Sequence, residues 1–318
     1  MAEARLIRVG TRGSQLARTQ TGWVVRRLEA LGAVVETVTI TTRGDEGAGT
    51  SPPQVGGDGV FVRELEAALR DGRIDAAVHS LKDLPTADSP GLLLSCVPVR
   101  AMPWDVFVGR APGTLATLPV GAVIGTSSIR RIAQVHTVRP DLRVQPVRGN
   151  VDTRLRLLDE GRYDGLILAG AGLERLGLAH RIQAVLRPDG FWPAVSQGAL
   201  VVQIRADDVA TGRFLEPLHH LLTARAVRAE RSCLAALAGG CLAPIGAVAG
   251  RGVAGRLRLG ACVLEETEEG VRRITASAAQ EPDESEEMLG RRVAGDLLGQ
   301  GGESMLQRMR RRVAGAHG

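Results

Sequence analysis

Three short landmarks occur twice along this 318-residue chain, in the same order, and they restrict its fold more than any property of its composition. Val9-Gly10-Thr11 is matched by Val123-Ile124-Gly125-Thr126, and Thr42-Arg43-Gly44-Asp45 by Pro146-Val147-Arg148-Gly149-Asn150. Asp71-Gly72-Arg73-Ile74-Asp75 is matched by Glu160-Gly161-Arg162-Tyr163-Asp164. Glycine-rich turns also recur by chance, but three in one order point to a duplicated unit. In the first copy the periodicity reads as a strand over Leu6 to Gly10, a helix opened by Ser14 and closed at Gly32, and a strand over Val34 to Thr41. A helix over Phe61 to Arg70 and a strand over Ala76 to Leu81 follow. That βαβαβ order implies a largely parallel sheet, and ligands of such sheets sit beyond the carboxyl ends of the strands, at the glycine turns and helix starts. Two copies would enclose a cleft.

The rest of the chain departs from this pattern. Gln197-Gly198-Ala199-Leu200-Val201-Val202 is an apolar run suited to a strand that returns to the first domain. Beyond Leu218 a helix over Thr223 to Leu237 ends at Gly239-Gly240. Alternating runs (Gly246 to Ala249, Leu257 to Val263, Val271 to Ala276) and a closing helix read as a small α+β domain. The expected division is 1–99 with 200–217, 105–195, and 222–318. The loop Asp45 to Gly59 is long enough for a lid and equally suits a surface insertion.

Composition narrows the partners. A net charge of +5 and a pI near 9.6 suggest anions, but aromatics are only 3% and the arginines are scattered, so small anions fit better than nucleic acid. No stretch approaches the ~18 apolar residues of a membrane span, and Met1 to Arg8 lacks a secretory signal, so a cytoplasmic location without membrane association is expected. Cys96, Cys233, Cys241 and Cys262 show no CxxC spacing, which argues for free thiols and against a zinc site. Among 40 Lys and Arg residues only Lys82 is lysine. Ammonium and guanidinium are not interchangeable where one proton or one tight ion pair matters, so a lone lysine marks its neighbourhood.

That neighbourhood is a strand end, where Lys82 and Asp83 lie between His79 and Pro85. A carboxylate there can shuttle a proton or stabilise a developing cation; an aspartate that caps a turn is the blander alternative. Arg12, Ser14 and Gln20 stand at the first helix opening, and Ser127, Ser128, Arg130 and Arg131 at its counterpart. Arg148, Arg154 and Arg175 add cations at the ends of second-copy elements. Hydroxyls, backbone N–H groups and guanidinium forks at helix starts bind carboxylate or phosphate oxygens, although a helix-start serine is often only a cap. Cys241 follows a glycine pair in a loop; its spacing alone does not separate a reactive thiol from an inert one.

These stretches resemble the hydroxymethylbilane synthase (porphobilinogen deaminase) family over nearly the whole chain. The resemblance is carried by Gly10-Thr11-Arg12-Gly13-Ser14-Gln15-Leu16-Ala17, Ala77-Val78-His79-Ser80-Leu81-Lys82-Asp83-Leu84-Pro85, Gly125-Thr126-Ser127-Ser128-Ile129-Arg130-Arg131 and Leu237-Ala238-Gly239-Gly240-Cys241. It implies an α/β fold of two similar periplasmic-binding-protein-like domains around a cleft plus a small C-terminal α+β domain, in a monomer. It further implies a dipyrromethane cofactor held through a thioether to Cys241, with four porphobilinogen units added and linear hydroxymethylbilane released. By the same resemblance Asp83 stabilises positive charge near the pyrrole nitrogens and Lys82 positions it. Ser128, Arg130, Arg131 and Gly172 join Cys241, Lys82 and Asp83 around the cofactor. Arg12, Ser14, Gln20, Arg148, Arg154, Arg175 and Gln197 meet the substrate. The chain departs from the family pattern at Asp58, where a lysine is common; at Ser196, where glycine is usual; at Gln203, which replaces an acid; and at Trp104, in a segment that often carries arginine. A binding module for anionic metabolites would show the same two-domain cleft without a covalent cofactor.

Overall fold

The computed structural model describes residues 6–41, 62–237 and 243–315, with side chains of the last helix through 312. The strands in chain order are β1 (Leu6–Thr11), β2 (Val34–Thr39), β3 (Ala76–Ser80), β4 (Leu92–Cys96), β5 (Asp105–Gly109), β6 (Val123–Gly125) and β7 (Arg143–Gln145). They continue with β8 (Gly165–Ala169), β9 (Ala184–Leu186), β10 (Leu200–Arg205), β11 (Ile245–Arg251), β12 (Leu257–Thr267) and β13 (Gly270–Ala279). The described residues pack as two compact units, one drawn from Met1–Ala101, Glu174–Gly177 and Gly198–Ala224, the other from Met102–Leu173, Leu178–Gln197 and Arg225–Gly318.

The first unit holds a sheet of order β2-β1-β3-β10-β4. β1 runs parallel to β2 and β3, whereas β10 is antiparallel to both its neighbours. Alternation decides what each face meets. Ile7, Val9, Ala76, Val78, Val202 and Ile204 pack with Val24 and Leu28 of the helix Gln15–Ala30. Ala77 packs with Leu65, Ala68 and Leu69 of the helix Arg63–Arg70 on the other face. Ser14 caps the first helix by accepting from the Ala17 amide at 3.3 Å, and Gly32, with φ +86°, follows its C-terminal end.

The second unit repeats this arrangement in its own sheet, of order β7-β6-β8-β5-β9, with β6 parallel to β7 and β8 and with β5 antiparallel to its neighbours. The repeated landmarks occupy matching places. Asp75 opens onto β3 and Asp164 onto β8. Asp75 accepts from the Arg8 amide at 2.9 Å, and Asp164 from the Val123 amide at 2.9 Å; each of those amides lies two residues before a matched glycine. Each carboxylate also takes an arginine from beside the antiparallel strand: Arg205 at 3.0 Å and Arg110 at 3.3 Å. A Cβ on Gly10 would collide with Ile74 Cδ1 and lie 3.0 Å from Leu65 Cδ2, while one on Gly125 would lie 2.5 Å from Leu166 Cδ2 and 2.9 Å from Tyr163 Cδ1. Both glycines are therefore fixed by close packing against the residue that precedes each aspartate, Ile74 or Tyr163.

The sheets are largely parallel as expected, four strands of each running one way, with β10 and β5 set against their neighbours. Apolar alternation fixes a strand's faces but not its direction. The second unit also contains the antiparallel sheet β11-β12-β13, covered by residues of the helices Leu221–Ala236 and Glu286–Leu297. The single closing helix expected at the C-terminus is two, Glu286–Leu297 and Glu303–Gly315, with Gly301 at φ +99° between them. Cys96, Cys233 and Cys262 are buried free thiols, and burial pushes each up to about 12. No helix among the described residues is long and apolar enough to cross a membrane.

Replacing Gly10 with alanine should destabilise the fold by about 1–3 kcal/mol, because Ile74 and Leu65 are fully buried and have no space into which to swing. Gly13→Ala, which meets nothing within 4 Å, is the matched control and should stay within ~0.5 kcal/mol of wild type. Denaturant melts of both variants check this; equal stability of the two would show that the close approach at Gly10 is not what demands glycine.

Candidate functional site

In the first unit the candidate residues gather at the carboxyl ends of β1 and β3. β3 ends at Ser80, and the chain then makes one 3-10 turn, Leu81–Asp83, not the strand residue expected at Leu81. The turn is held by the Leu81 amide on the Ala199 carbonyl at 3.0 Å and by the Leu84 amide on Leu81 at 3.2 Å. Lys82 is half-buried on it and Asp83 is exposed. Alternation sends Ser80 to the side of the first helix, where its hydroxyl and the buried Gln20 amide pair at 3.0 Å. Arg12, half-buried, follows β1 directly. Ser14 spends its hydroxyl on the helix cap.

His79 projects to the opposite side, toward Glu66 and Gln203. Glu66 accepts from Ser89 at 2.5 Å, from Gln203 at 3.0 Å and from Arg70 at 3.3 Å. Burial lowers His79 to about 4, and Arg12 adds to that, against the opposing pull of Glu66 and Gln203. Burial thus leaves this imidazole neutral. Arg175 closes the short helix Gly170–Arg175 and donates to the Gly198 carbonyl at 2.7 Å; burial lowers it to about 10.

In the second unit the centre is a residue that sequence reasoning missed. Asp105, the first residue of β5, has a side chain with 0% exposure and lies between two adjacent guanidinium groups. Arg130 donates to its Oδ2 at 2.7 Å, and Arg131 donates to Oδ1 through Nη2 at 2.7 Å and Nε at 3.1 Å. Gln197, fully buried, donates its amide to the same Oδ1 at 2.9 Å and to the Pro103 carbonyl at 2.9 Å. Arg131 also reaches the Ile167 carbonyl at 2.9 Å, and Arg130 the Trp192 carbonyl. The two guanidinium groups hold Asp105 well below the usual carboxylate range despite its burial. A signal for it existed: an aspartate opening the apolar run Val106-Phe107-Val108 must find a partner, and so must two arginines at a helix start, where the helix dipole opposes them.

Around this pair the other candidates take distinct places. Ser128 is the N-cap of the helix Ile129–Val138, yet its hydroxyl makes no cap bond; Ser127 accepts from the Val147 amide at 3.1 Å and donates to the Val147 carbonyl at 2.8 Å, which makes it a structural clip. Arg154, on the helix Val151–Asp159, donates to the Gly149 carbonyl at 2.8 Å; burial lowers its pKa, and repulsion from Arg131 lowers it further. Arg148 is exposed in the loop before that helix, and Gly172 is buried in Gly170–Arg175. Ser196 holds φ +60°, the left-handed region that explains why glycine is usual there, and its amide donates to the buried Glu230 at 2.7 Å. Cys241, the Asp45 to Gly59 loop with Asp58, and the Thr42 to Asp45 landmark lie outside the described residues.

Two family profiles cover most of the chain. The one described as porphobilinogen deaminase, dipyromethane cofactor binding domain, matches residues 7–213, and porphobilinogen deaminase, C-terminal domain, matches residues 224–299. The porphobilinogen deaminase of Thermus thermophilus is 47% identical over 308 residues, 96% of this chain and 100% of that protein. That of Acidothermus cellulolyticus is 44% identical over 310 residues, 96% of this chain and 92% of that protein. Among solved structures, the methionine binding protein MetQ aligns at 15% identity and TM-score 0.44, over 66% of this chain and 89% of that one.

The neutral His79 carries a pH signature. Its folded value, about 4, lies below the ordinary 6.5, so between them the unfolded chain binds a proton that the folded chain does not. The stability it supports is complete above 6.5 and is lost as pH falls toward 4. Replacing His79 with glutamine should shrink the stability difference between about pH 7.5 and about pH 5 by about 2 kcal/mol, read from denaturant melts at each pH. An unchanged difference would remove His79 as its source.

Proposed function

The chain belongs to the porphobilinogen deaminase family, and on that premise we propose how its own residues divide the work of this transferase, hydroxymethylbilane synthase. The observation that carries the proposal is the charge imbalance around Asp105. Arg130 and Arg131 share one carboxylate, and the half-buried Arg154, whose pKa is lowered by burial and then by repulsion from Arg131, adds a third guanidinium group to the neighbourhood. Surplus cations out of water call for an anion to complete them. A dipyrromethane bearing acetate and propionate groups fits that donor set, as does porphobilinogen with its two carboxylates. Planar guanidinium groups suit carboxylates because they pair in a bidentate manner.

When bound, dipyrromethane supplies the terminal pyrrole to which porphobilinogen units are joined with loss of ammonia. Arg130, Arg131, Ser128 and Gly172 would hold its carboxylates; Arg148, Arg154, Arg12 and Arg175 would meet those of the substrate. Ser14 and Gln20 act through the first helix, the one as its cap and the other by tying it to Ser80 beside the catalytic turn. Lys82, on the same turn as Asp83, holds a carboxylate and keeps an ammonium next to the catalytic acid. Asp83 would present its carboxylate to positive charge developing on the pyrroles, and a group fixed there lowers the barrier without reorganising at the moment of reaction. Cys241 anchors the cofactor as a thioether. We take the protein to work as a cytoplasmic monomer of three domains, with boundaries near 1–99 with 200–217, 105–195 and 222–318.

Intact-mass measurement tests the anchor: wild-type protein incubated with porphobilinogen should gain covalent mass, and Cys241→Ser should not. Wild-type protein that stays unmodified would sink the synthase reading. Asp83→Asn should keep its melting temperature and its covalent load yet lose roughly 100-fold or more in kcat, the scale for removing one preorganised electrostatic group. Near-normal turnover in that variant would refute the role given to Asp83.

A further inference from the structure

Arg130 and Arg131 are neighbours on one helical turn, and side chains at i and i+1 point away from each other, so nothing in the helix itself aims both guanidinium groups at one place. Their common direction comes from outside the helix. Asp105 receives Arg130 on one oxygen and Arg131, twice, on the other, while Gln197 supplies a further donor and anchors itself to Pro103. Carboxylate and glutamine are both fully buried. The bonds are unequally shared. Nε, Nη1 and Nη2 of Arg131 all bond to Asp105 or Ile167, whereas among the described residues the bonds of Arg130 run through Nη1, to Asp105 and Trp192. Nε and Nη2 of Arg130 are thus the donors left to meet a ligand.

We infer that Asp105, supported by Gln197, is a positioning residue for cofactor capture: it neutralises one of two adjacent arginines and aims the pair, so that Arg130 presents its remaining donors to a carboxylate. Asp105 touches no ligand in this role. Its charge is what allows two cations to stay buried side by side, and its two oxygens set their relative orientation. Gln197, assigned to the substrate by resemblance, works here through Asp105. The inference rests on the reading that Arg130 and Arg131 hold the cofactor.

The test follows covalent loading of purified protein incubated with porphobilinogen, by intact mass, at a temperature well below each variant's melting point. Asp105→Asn keeps the shape and removes the charge; it should load roughly tenfold or more slowly than wild type, the scale on which supporting partners of a binding group act. Phenylglyoxal labelling mapped by peptide mass gives a readout independent of activity: Arg131, whose nitrogens are all bonded, should be protected in wild type and become labelled in Asp105→Asn. Arg130→Gln should fail to load. If Asp105→Asn loads within twofold of wild type and keeps Arg131 protected while Arg130→Gln fails, the inference is overturned and the functional reading stands. If Arg130→Gln loads normally, the functional reading falls first and takes the inference with it. Should Asp105→Asn not fold, Gln197→Leu replaces it; loading several-fold slower supports the inference, and loading at the wild-type rate overturns it.

Discussion

Each of the two α/β sheets depends on a carboxylate at the foot of its third strand. Asp75 and Asp164 accept the backbone amide of the neighbouring first strand and an arginine from beside the antiparallel strand, so one side chain sets the register of three strands. A single acceptor satisfying a strand's backbone donor and an arginine at once is hard to replace, because losing it leaves the strand's N–H unpaired, which costs about 1–3 kcal/mol. Asp75 is the tighter of the two, with a side chain 6% exposed against 35% for Asp164, and it carries two arginines instead of one. The glycines two residues beyond the paired amides follow from this arrangement: the strands are drawn together where Ile74 and Tyr163 must also pack.

The second unit reuses the same device for a different end. Asp105 also opens a strand and also takes two arginines, but here the partners stand at a helix N-terminus, where the dipole disfavours them. The carboxylate compensates for that placement only in part. Two guanidinium groups share one buried carboxylate here, so the cluster carries one more positive than negative charge.

Much of this was legible in the sequence. The landmarks at Gly10, Asp75, Gly125 and Asp164 gave the duplication because close packing and a strand-foot carboxylate admit few substitutes. The helix from Ser14 to Gly32 showed both of its ends, one as a side-chain cap and the other as a glycine in the left-handed region. What stayed hidden depended on partners distant along the chain. The strand direction of β5 and β10 is not written in their alternation. The role of Asp105 emerges only when Arg130, Arg131 and Gln197 are brought to it, and the turn of Ser196 at φ +60° looks ordinary until its backbone is known. Glu66 likewise reads as one more helix-surface acid, although it is 8% exposed and gathers three donors.

The antiparallel strand inserted in each sheet has a bearing on how the chain is made. In the first sheet β10 lies between β3 and β4, so those two strands share no partner until residues 200–205 have left the ribosome. All five strands of the second sheet fall within residues 105–186 and emerge earlier as an unbroken set. Synthesis normally completes N-terminal domains first. Here the middle of the chain can close its sheet while the beginning still waits for a strand encoded after it, so the N-terminal strands spend part of synthesis with open edges.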